Sequence, residues 1–272
     1  MSFFKILPVV GALLVASWLA PGDADSETTP AADELATGSD APSSAGKKRP
    51  SGAPEDLLTK GKPLYSQFKE ELYVRHFFDD MRDGVYVDVG AWEWEKNSTT
   101  AYLEKHLGWS GIAIDAQPGL AAGWAAHRPR AKFFPYIVTD HAGTQEPFYL
   151  TYGLSSTDPE HIKQWKALRE KKQRVALVET VTLDDLLTRE GVERIDFLSM
   201  DIEGGEPKAL AGFDIKRFRP RLVCIEAGLK GSKRRAEIAA YFEKHGYRRI
   251  KQYESRFDPN WYLTPEDDPA SQ

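Results

Sequence analysis

The run Val85-Tyr-Val-Asp-Val-Gly-Ala91 joins β-branched and aromatic residues to a glycine that follows them directly. It predicts a short buried strand at residues 85–89 that ends in a tight turn. Residues 98–107 have the apolar spacing of a helix, and Gly111-Ile-Ala-Ile-Asp115 predicts a second strand. A strand, a helix and another strand in close succession form the unit from which parallel sheets are built.

The same alternation of strands and helices continues along the chain. Further helices are predicted at residues 120–127, 183–190, 207–212 and 233–245. Further strands are predicted between them, at residues 132–138, 195–201 and 222–226. Residues 146–150 and 174–181 interrupt this order and predict an inserted hairpin-like pair, and an amphipathic helix at 64–78 precedes the first strand. The chain is therefore predicted to be α/β, with a Rossmann-like, doubly wound, mostly parallel sheet in a single domain.

The first residues have the features of a targeting segment. Lys5 precedes the uncharged, mostly apolar stretch 6–20, and the small residues Gly22 and Ala24 follow it. This pattern predicts a signal peptide over residues 1–24, with an uncleaved N-terminal membrane anchor as the alternative. We therefore expect an exported, periplasmic or membrane-anchored protein, and a cytoplasmic location is the other interpretation.

A change of composition marks the start of the folded part. Residues 25–54 are rich in Ala, Ser, Thr, Pro, Gly and Asp and show no apolar periodicity. Such a composition cannot offset the entropy lost on ordering, so it predicts a disordered linker. Residues 55–272 are then expected to form the folded domain.

The composition also restricts the classes of partner and site. The 272 residues are 41% hydrophobic, which is enough for one sizeable core, and the net charge of -5 provides no basic field for nucleic acid. Cys224 is the single cysteine, which excludes an intramolecular disulfide and a cysteine-rich metal site. Asp201, Glu203 and Glu226 could offer oxygen ligands to a divalent ion. Nothing in their spacing fixes a ligand number, so no metal is predicted.

Carboxylates stand at the ends of four predicted strands, at Asp88, Asp115, Asp140 and Asp201. Ligands of doubly wound sheets bind beyond these carboxyl ends. Gly90 lets the backbone approach a ligand closely, but the further glycines of a pyrophosphate-binding loop are missing. Asp115 lies where an acidic residue accepts hydrogen bonds from ribose hydroxyls. The pattern predicts an adenosine-containing cofactor without a diphosphate, and S-adenosylmethionine fits this description better than a dinucleotide.

Five segments, in a fixed order, resemble the FkbM-type methyltransferase family. They are Tyr65-Ser-Gln-Phe68, Tyr86-Val-Asp-Val-Gly-Ala91, Leu107-Gly-Trp-Ser-Gly-Ile112, Val181-Thr-Leu-Asp-Asp-Leu186 and Ile195-Asp-Phe-Leu-Ser-Met-Asp-Ile-Glu-Gly204. The resemblance implies a class I methyltransferase that uses S-adenosylmethionine and usually methylates an oxygen of a sugar or secondary metabolite. One departure is Asp115-Ala-Gln-Pro118, where the family often has Glu-Pro-Asn-Pro, but the acid and the proline are kept.

The resemblance implies roles for the matching residues around the cofactor. Asp88 and Gly90 would line the methionine end of S-adenosylmethionine, and Asp115 would bind the ribose. Asp140 lies where enzymes of this type often contact adenine. The expected partner is a small-molecule or glycan acceptor.

Asp201 and Glu203 fall on the family's acidic Asp-x-Glu-Gly motif, which the resemblance places beside the transferred methyl group. A hydroxyl acceptor needs a base to take its proton, and residues two apart on an extended chain face the same side. We therefore predict Asp201 as the base and Glu203 as its helper. Glu203 could instead hold the Gly204-Gly205 turn, and Glu206 is interpreted as a helix cap.

The sequence also suggests roles for two segments outside these motifs, and it leaves two alternative functions open. Ser155-Ser-Thr157 lies in a loop that could cover the acceptor. The basic run Lys230-Gly-Ser-Lys-Arg-Arg235 is interpreted as a solvated helix face, with a site for an acidic substrate as the alternative. A non-catalytic exported binding domain is one alternative function, since S-adenosylmethionine is made in the cytosol. A nicotinamide-dependent oxidoreductase is the other, and the missing glycines weaken it.

Overall fold

A computed structural model describes residues 63–151, 154–159, 174–254 and 259–268. The predicted signal peptide or anchor and the predicted linker lie outside these residues and stay predictions. Among the described residues, every helix is too short or too polar to cross a bilayer.

The described elements alternate along the chain as predicted. The strands are β1 (Val85–Val89), β2 (Ser110–Ile114), β3 (Ala131–Phe134), β4 (Ile137–Val138), β5 (Gln145–Leu150), β6 (Arg174–Val181), β7 (Phe197–Met200), β8 (Leu222–Glu226), β9 (Tyr247–Arg249) and β10 (Asn260–Pro265). The α-helices are α1 (Glu70–Phe78), α2 (Ala101–Leu107), α3 (Ala121–His127), α4 (Leu183–Arg189), α5 (Glu206–Ala211), α6 (Ile215–Phe218) and α7 (Lys233–Lys244). Short 3₁₀ turns occupy Pro118–Leu120 and Lys251–Tyr253.

The main sheet confirms the predicted Rossmann-like α/β fold. Its strand order is β3-β2-β1-β7-β8-β10-β9, and only the pairings of β10 with β8 and β9 are antiparallel. The chain runs outward from β1 to β3 and then returns to β7 on the other side of β1. The strand order therefore reverses between β1 and β7, which is the place where such sheets bind ligands.

Both faces of the sheet are covered, which explains why its strands are almost continuously apolar. In β1, Val87 and Val89 belong to a core cluster that includes residues of α4 to α7. Tyr86 points to the opposite face, in a cluster with residues of α1 and α2. Cys224 is buried in that second cluster, as predicted for a small apolar side chain.

A smaller sheet differs from the prediction of a single third strand at residues 132–138. The segment divides at Pro135 into β3, which pairs with β2, and β4, which pairs with β6. Proline has no N–H for a sheet ladder, so the chain leaves the main sheet there. The predicted pair of β5 and β6 is confirmed as antiparallel, and the small sheet has the order β4-β6-β5.

The leading helix also differs from its prediction, since it begins at Glu70 and not at residue 64. Lys69 has a left-handed backbone with φ 64°, which no helix interior adopts. The carboxylate of Glu71 accepts hydrogen bonds from the N–H groups of Tyr65 (2.5 Å) and Ser66 (3.1 Å). These bonds hold the preceding segment in a folded loop, which lies beside the cavities described next.

Candidate active site

Two adjoining cavities lie at the carboxyl ends of β1, β2 and β7. The narrow cavity is lined by residues of β2, β4 and the small sheet, and the wide cavity by residues around β1, β7 and β8. Gly90, Trp92, Asp201 and Glu203 line both cavities, so they mark the junction between them. The wide cavity has a volume of about 590 Å³, within the range of small-molecule sites.

Gly90 forms the base of this junction. Its φ is +85°, and a Cβ at this position would overlap the carbonyl oxygen of Asp201. The Gly90 N–H donates to the carbonyl of Ile114 (2.9 Å), and the Asp201 N–H donates to the carbonyl of Val89 (2.9 Å). The ends of three strands therefore meet at a position that only glycine fits.

Asp115 lies directly after β2 and lines the narrow cavity. Its carboxylate accepts hydrogen bonds from the N–H groups of Trp92 (3.0 Å) and Gln117 (2.9 Å). A carboxylate has about four lone-pair sites, so further bonds from a ligand hydroxyl remain available. Burial raises the pKa of Asp115 above its ordinary value, and the two N–H donors counteract this.

Asp88 lies inside β1 and lines the wide cavity. Its carboxylate accepts a hydrogen bond from the hydroxyl of Thr100 (2.8 Å). Burial raises the pKa of Asp88 to about 6, against the lowering effect of Thr100 and of the nearby Arg128. Asp88 is thus held in place by a hydrogen bond within the lining of the wide cavity.

Arg128 holds the residues around Asp88 in place, and it could not be recognised from the sequence. Its side chain is completely buried and donates to the carboxylate of Glu104 (2.8 Å) and the hydroxyl of Tyr86 (2.9 Å). It also donates to the hydroxyl of Thr100 (3.1 Å), which in turn donates to Asp88. A buried cation with this many partners holds the α2 and α3 helices and β1 in one arrangement.

The turn between β7 and α5, residues 201–205, carries both predicted catalytic residues and is called the acidic turn below. The strand ends at Met200, so the expectation that Asp201 and Glu203 share one face of an extended chain is wrong. The backbone turns instead, with φ 52° at Glu203, whose carbonyl accepts a hydrogen bond from the Ser156 hydroxyl (2.9 Å). The turn still leaves both acidic residues lining both cavities, while Ser155 and Thr157 line the narrow one.

Asp201 lies in a strongly acidic surrounding. It is exposed to the cavities, but protein atoms enclose it on its other sides. This enclosure raises the pKa of Asp201 well above its ordinary value, and the negative charges of Glu226, Glu203 and Glu206 raise it further. The positive charge of Arg234 opposes them. Asp201 therefore holds its proton more strongly than an ordinary aspartate does.

Glu206 is buried at the start of α5, where the sequence suggested a helix cap. Its carboxylate accepts hydrogen bonds from the N–H groups of Ile202 (3.0 Å) and Gly204 (3.4 Å). Glu206 therefore holds the Gly204-Gly205 turn, which is the role that the sequence offered as the alternative for Glu203. Burial raises its pKa to about 7, and Arg234 partly counteracts this.

Arg234 departs from the interpretation of residues 230–235 as a solvated helix face, because its side chain is only 18% exposed, whereas that of Lys233 is 90% exposed. Its guanidinium forms ion pairs with Glu226 and, at 3.5 Å, with Glu206. The carboxylates of Asp201, Glu206 and Glu226 lie within 4.8 Å of one another, as a bound cation would require. The guanidinium lies against two of the three and provides positive charge there, so we assign no metal to this group.

Asp140 is not brought together with the other predicted residues. Its carboxylate is exposed and pairs with Nδ1 of His141 at 2.8 Å, a contact that lowers the pKa of Asp140. Asp140 lines neither cavity, whereas the apolar side chains of Val138 and Phe148 line the narrow one.

Comparison with solved structures gives only distant matches. A TehB-like SAM-dependent methyltransferase from Corynebacterium glutamicum ATCC 13032 Kitasato is 14% identical, with coverage of 78% of this chain and 93% of that chain and a TM-score of 0.39. The precorrin-6y C5,15-methyltransferase from Geobacter metallireducens GS-15 is 11% identical, with 77% and 93% coverage and a TM-score of 0.39. The METTL16 MTase domain is 14% identical, with 75% and 71% coverage and a TM-score of 0.42. At these scores the three structures do not inform the function of this chain.

Comparison with sequences is more decisive. No curated protein matches the chain significantly. The profile of the methyltransferase FkbM domain, however, matches residues 84–249, which are more than half of the chain and contain β1 to β9. The chain belongs to the FkbM methyltransferase family, and it is an S-adenosylmethionine-dependent methyltransferase.

Proposed function

We propose that this enzyme methylates a hydroxyl oxygen of a sugar, a glycan or another small metabolite. The observation that carries the proposal is the position of Asp201 at the junction of the two cavities. A carboxylate at this point would reach both a donor that extends from the narrow cavity to the junction and an acceptor in the wide cavity.

The narrow cavity suits the adenosine part of S-adenosylmethionine. Asp115 retains acceptor capacity for ribose hydroxyls, and Ile114, Val138 and Phe148 offer apolar surface for the base. Gly90 lets the backbone approach the ligand, as a side chain there could not. When bound, S-adenosylmethionine supplies an electrophilic methyl group on a positively charged sulfur. These residues would orient the donor, and Asp88 and Gly90 would hold its methionine end.

The wide cavity suits an uncharged polyhydroxyl acceptor. Asn97, Thr99, Thr151 and Ser199 supply hydrogen-bonding groups among its lining residues. Its described lining contains several carboxylates and no lysine, arginine or histidine. Such a lining repels phosphorylated or carboxylated acceptors, whereas neutral hydroxyls suffer no charge repulsion.

Asp201 is the group that would take the acceptor's proton. A hydroxyl is a weak nucleophile until a base removes its proton, and bases work best when their pKa lies near the working pH. The raised pKa of Asp201 moves it toward that range. Glu203, on the same turn, would help to orient the acceptor. Alignment of donor and acceptor supplies the remaining rate enhancement.

The test is transfer of labelled methyl groups from S-adenosylmethionine to a panel of neutral saccharides and their phosphorylated counterparts. Asp201→Asn should lower turnover by about 10²–10⁴-fold, the usual contribution of a general base, and leave the affinity for the demethylated product, S-adenosylhomocysteine, nearly unchanged. Glu203→Gln should cost less, and Asp83→Asn, at an exposed position, should behave as the wild type. Normal turnover in both Asp201→Asn and Glu203→Gln would show that the base lies elsewhere. Loss of S-adenosylhomocysteine binding in Asp201→Asn would assign the residue to the donor pocket.

A further inference from the structure

Arg234 connects three elements that surround the acidic turn. It lies in the first turn of α7, and its side chain is 18% exposed. Its Nη2 atom donates to the Glu226 carboxylate at the end of β8, and its Nε atom lies 3.5 Å from the Glu206 carboxylate of α5. One guanidinium therefore holds the carboxylates of two elements beside the turn that carries Asp201.

The backbone around Arg234 leaves room for this guanidinium. Gly228 has φ +71°, and a Cβ there would lie 2.6 Å from the Arg234 Nε atom. Gly204, in the acidic turn itself, has φ +105°, and a Cβ there would lie 3.7 Å from Nη1. Glycines from two different turns thus flank the guanidinium. The side chain is enclosed in a fixed place, unlike an arginine on a solvated helix face.

Negatively charged side chains outnumber positively charged ones around Asp201. Glu203 faces it from its own turn, Glu206 from α5 and Glu226 from β8, whereas Arg234 supplies the positive charge from α7. Asp88 and Glu70, from β1 and α1, add further carboxylates to the lining of the wide cavity. Carboxylates crowded in this way disfavour each other's ionised forms, and a nearby guanidinium favours them.

We propose that Arg234 is a positioning residue for methyl transfer. Its guanidinium holds Glu206 and Glu226 in place and supplies a positive charge that favours the ionised form of Asp201. The inference rests on the proposed role of Asp201 and assigns Arg234 no contact with the donor or the acceptor.

A measurable consequence follows for cofactor binding. An ionised Asp201 attracts the positive sulfur of S-adenosylmethionine but has no such attraction for S-adenosylhomocysteine, whose sulfur is neutral. The ratio of the two affinities therefore reports the ionisation of the acidic turn, because all groups common to both ligands cancel. This ratio should fall as the pH is lowered, and removal of Arg234 should move the fall to higher pH.

The experiment is calorimetric titration of the full chain with both compounds between about pH 5 and pH 8. Arg234→Gln should move the midpoint of the affinity ratio upward by about one pH unit, the lower end of the effect of a neighbouring charge. Arg234→Lys keeps the charge and should stay near the wild type. Lys233→Gln removes the same charge from a side chain that is 90% exposed on the same helix, and it should change nothing.

A second variant tests the same inference if Arg234→Gln does not fold. Glu226→Gln removes a carboxylate that disfavours ionised Asp201, so the midpoint should move downward. An unchanged midpoint in a folded Arg234→Gln variant, or in Glu226→Gln, overturns the inference. Because no acceptor is used, this result is separate from the proposed O-methylation, which fails only if no hydroxyl compound is methylated.

Discussion

The α-carbon of Gly90 faces the carbonyl oxygen of Asp201 so closely that a methyl group at position 90 would overlap it. Gly90 follows β1 and Asp201 follows β7, the two strands between which the sheet order reverses. The turn that forms the proposed donor site and the turn that carries the proposed base are therefore in direct contact. A change at one of them must disturb the other.

Gly90→Ala should destabilise the fold and abolish binding of S-adenosylmethionine. A left-handed backbone costs an alanine about 1–2 kcal/mol, and overpacking adds about 1–3 kcal/mol. Thermal unfolding and calorimetric titration measure the two effects. Gly119→Ala is the matched control, since a Cβ there meets no atom within 4 Å. Wild-type stability and affinity in Gly90→Ala would contradict the close contact with Asp201.

Asp115→Ala should weaken binding of S-adenosylmethionine by about 1.5–3 kcal/mol, the range for hydrogen bonds to a charged group. The variant also loses the bonds from Trp92 and Gln117, so its stability must be measured beside its affinity. Asp115→Asn keeps an acceptor oxygen and should lose less affinity. A folded Asp115→Ala variant with unchanged affinity would exclude the ribose contact.

Arg128→Met should lower the free energy of unfolding by about 3–5 kcal/mol, because it leaves the buried Glu104 carboxylate without its charged partner. Urea unfolding gives this value. Arg130→Met is the control, because the Arg130 side chain is 51% exposed and should cost little. Equal stabilities of the two variants would show that the buried network is not essential to the fold.

Glu206 should make stability depend on pH. Its pKa rises from 4.5 to about 7 in the folded state, so the folded protein binds more protons than the unfolded chain between these values. Stability should therefore fall as the pH rises through this window. Glu206→Gln cannot ionise and should flatten the profile, whereas the exposed Glu193→Gln should keep it. Identical profiles of wild type and Glu206→Gln would contradict the raised pKa.

The sequence predicted the sheet well because its strands are buried on both faces. The bounds of β1 and β8 match the prediction, since each is a continuous apolar run between clear breaks. The third strand was predicted too long because Pro135 was not treated as a break. The start of α1 was misplaced because apolar spacing alone cannot show that Glu71 folds the preceding residues into a loop.

The candidate site was predictable where it depends on strand ends. Asp88, Asp115 and Asp201 follow from the rule that carboxyl ends meet at one edge of a parallel sheet. Arg234 could not be found in this way, because a basic residue at the start of a helix has the pattern of a solvated surface. Asp140 obeyed the strand-end rule but follows β4, which belongs to the small sheet, and its side chain is exposed.

The central claim is that S-adenosylmethionine binds at the β1–β7 reversal, with its adenosine part in the narrow cavity and its methyl group at the junction with the wide cavity. Calorimetric titration of the full chain with S-adenosylmethionine, S-adenosylhomocysteine and NAD tests it most directly. The account predicts that both S-adenosyl compounds bind to a single class of site and that NAD does not, because Gly90 is not followed by a pyrophosphate-binding loop. Binding of NAD, with no binding of either S-adenosyl compound, would contradict the account.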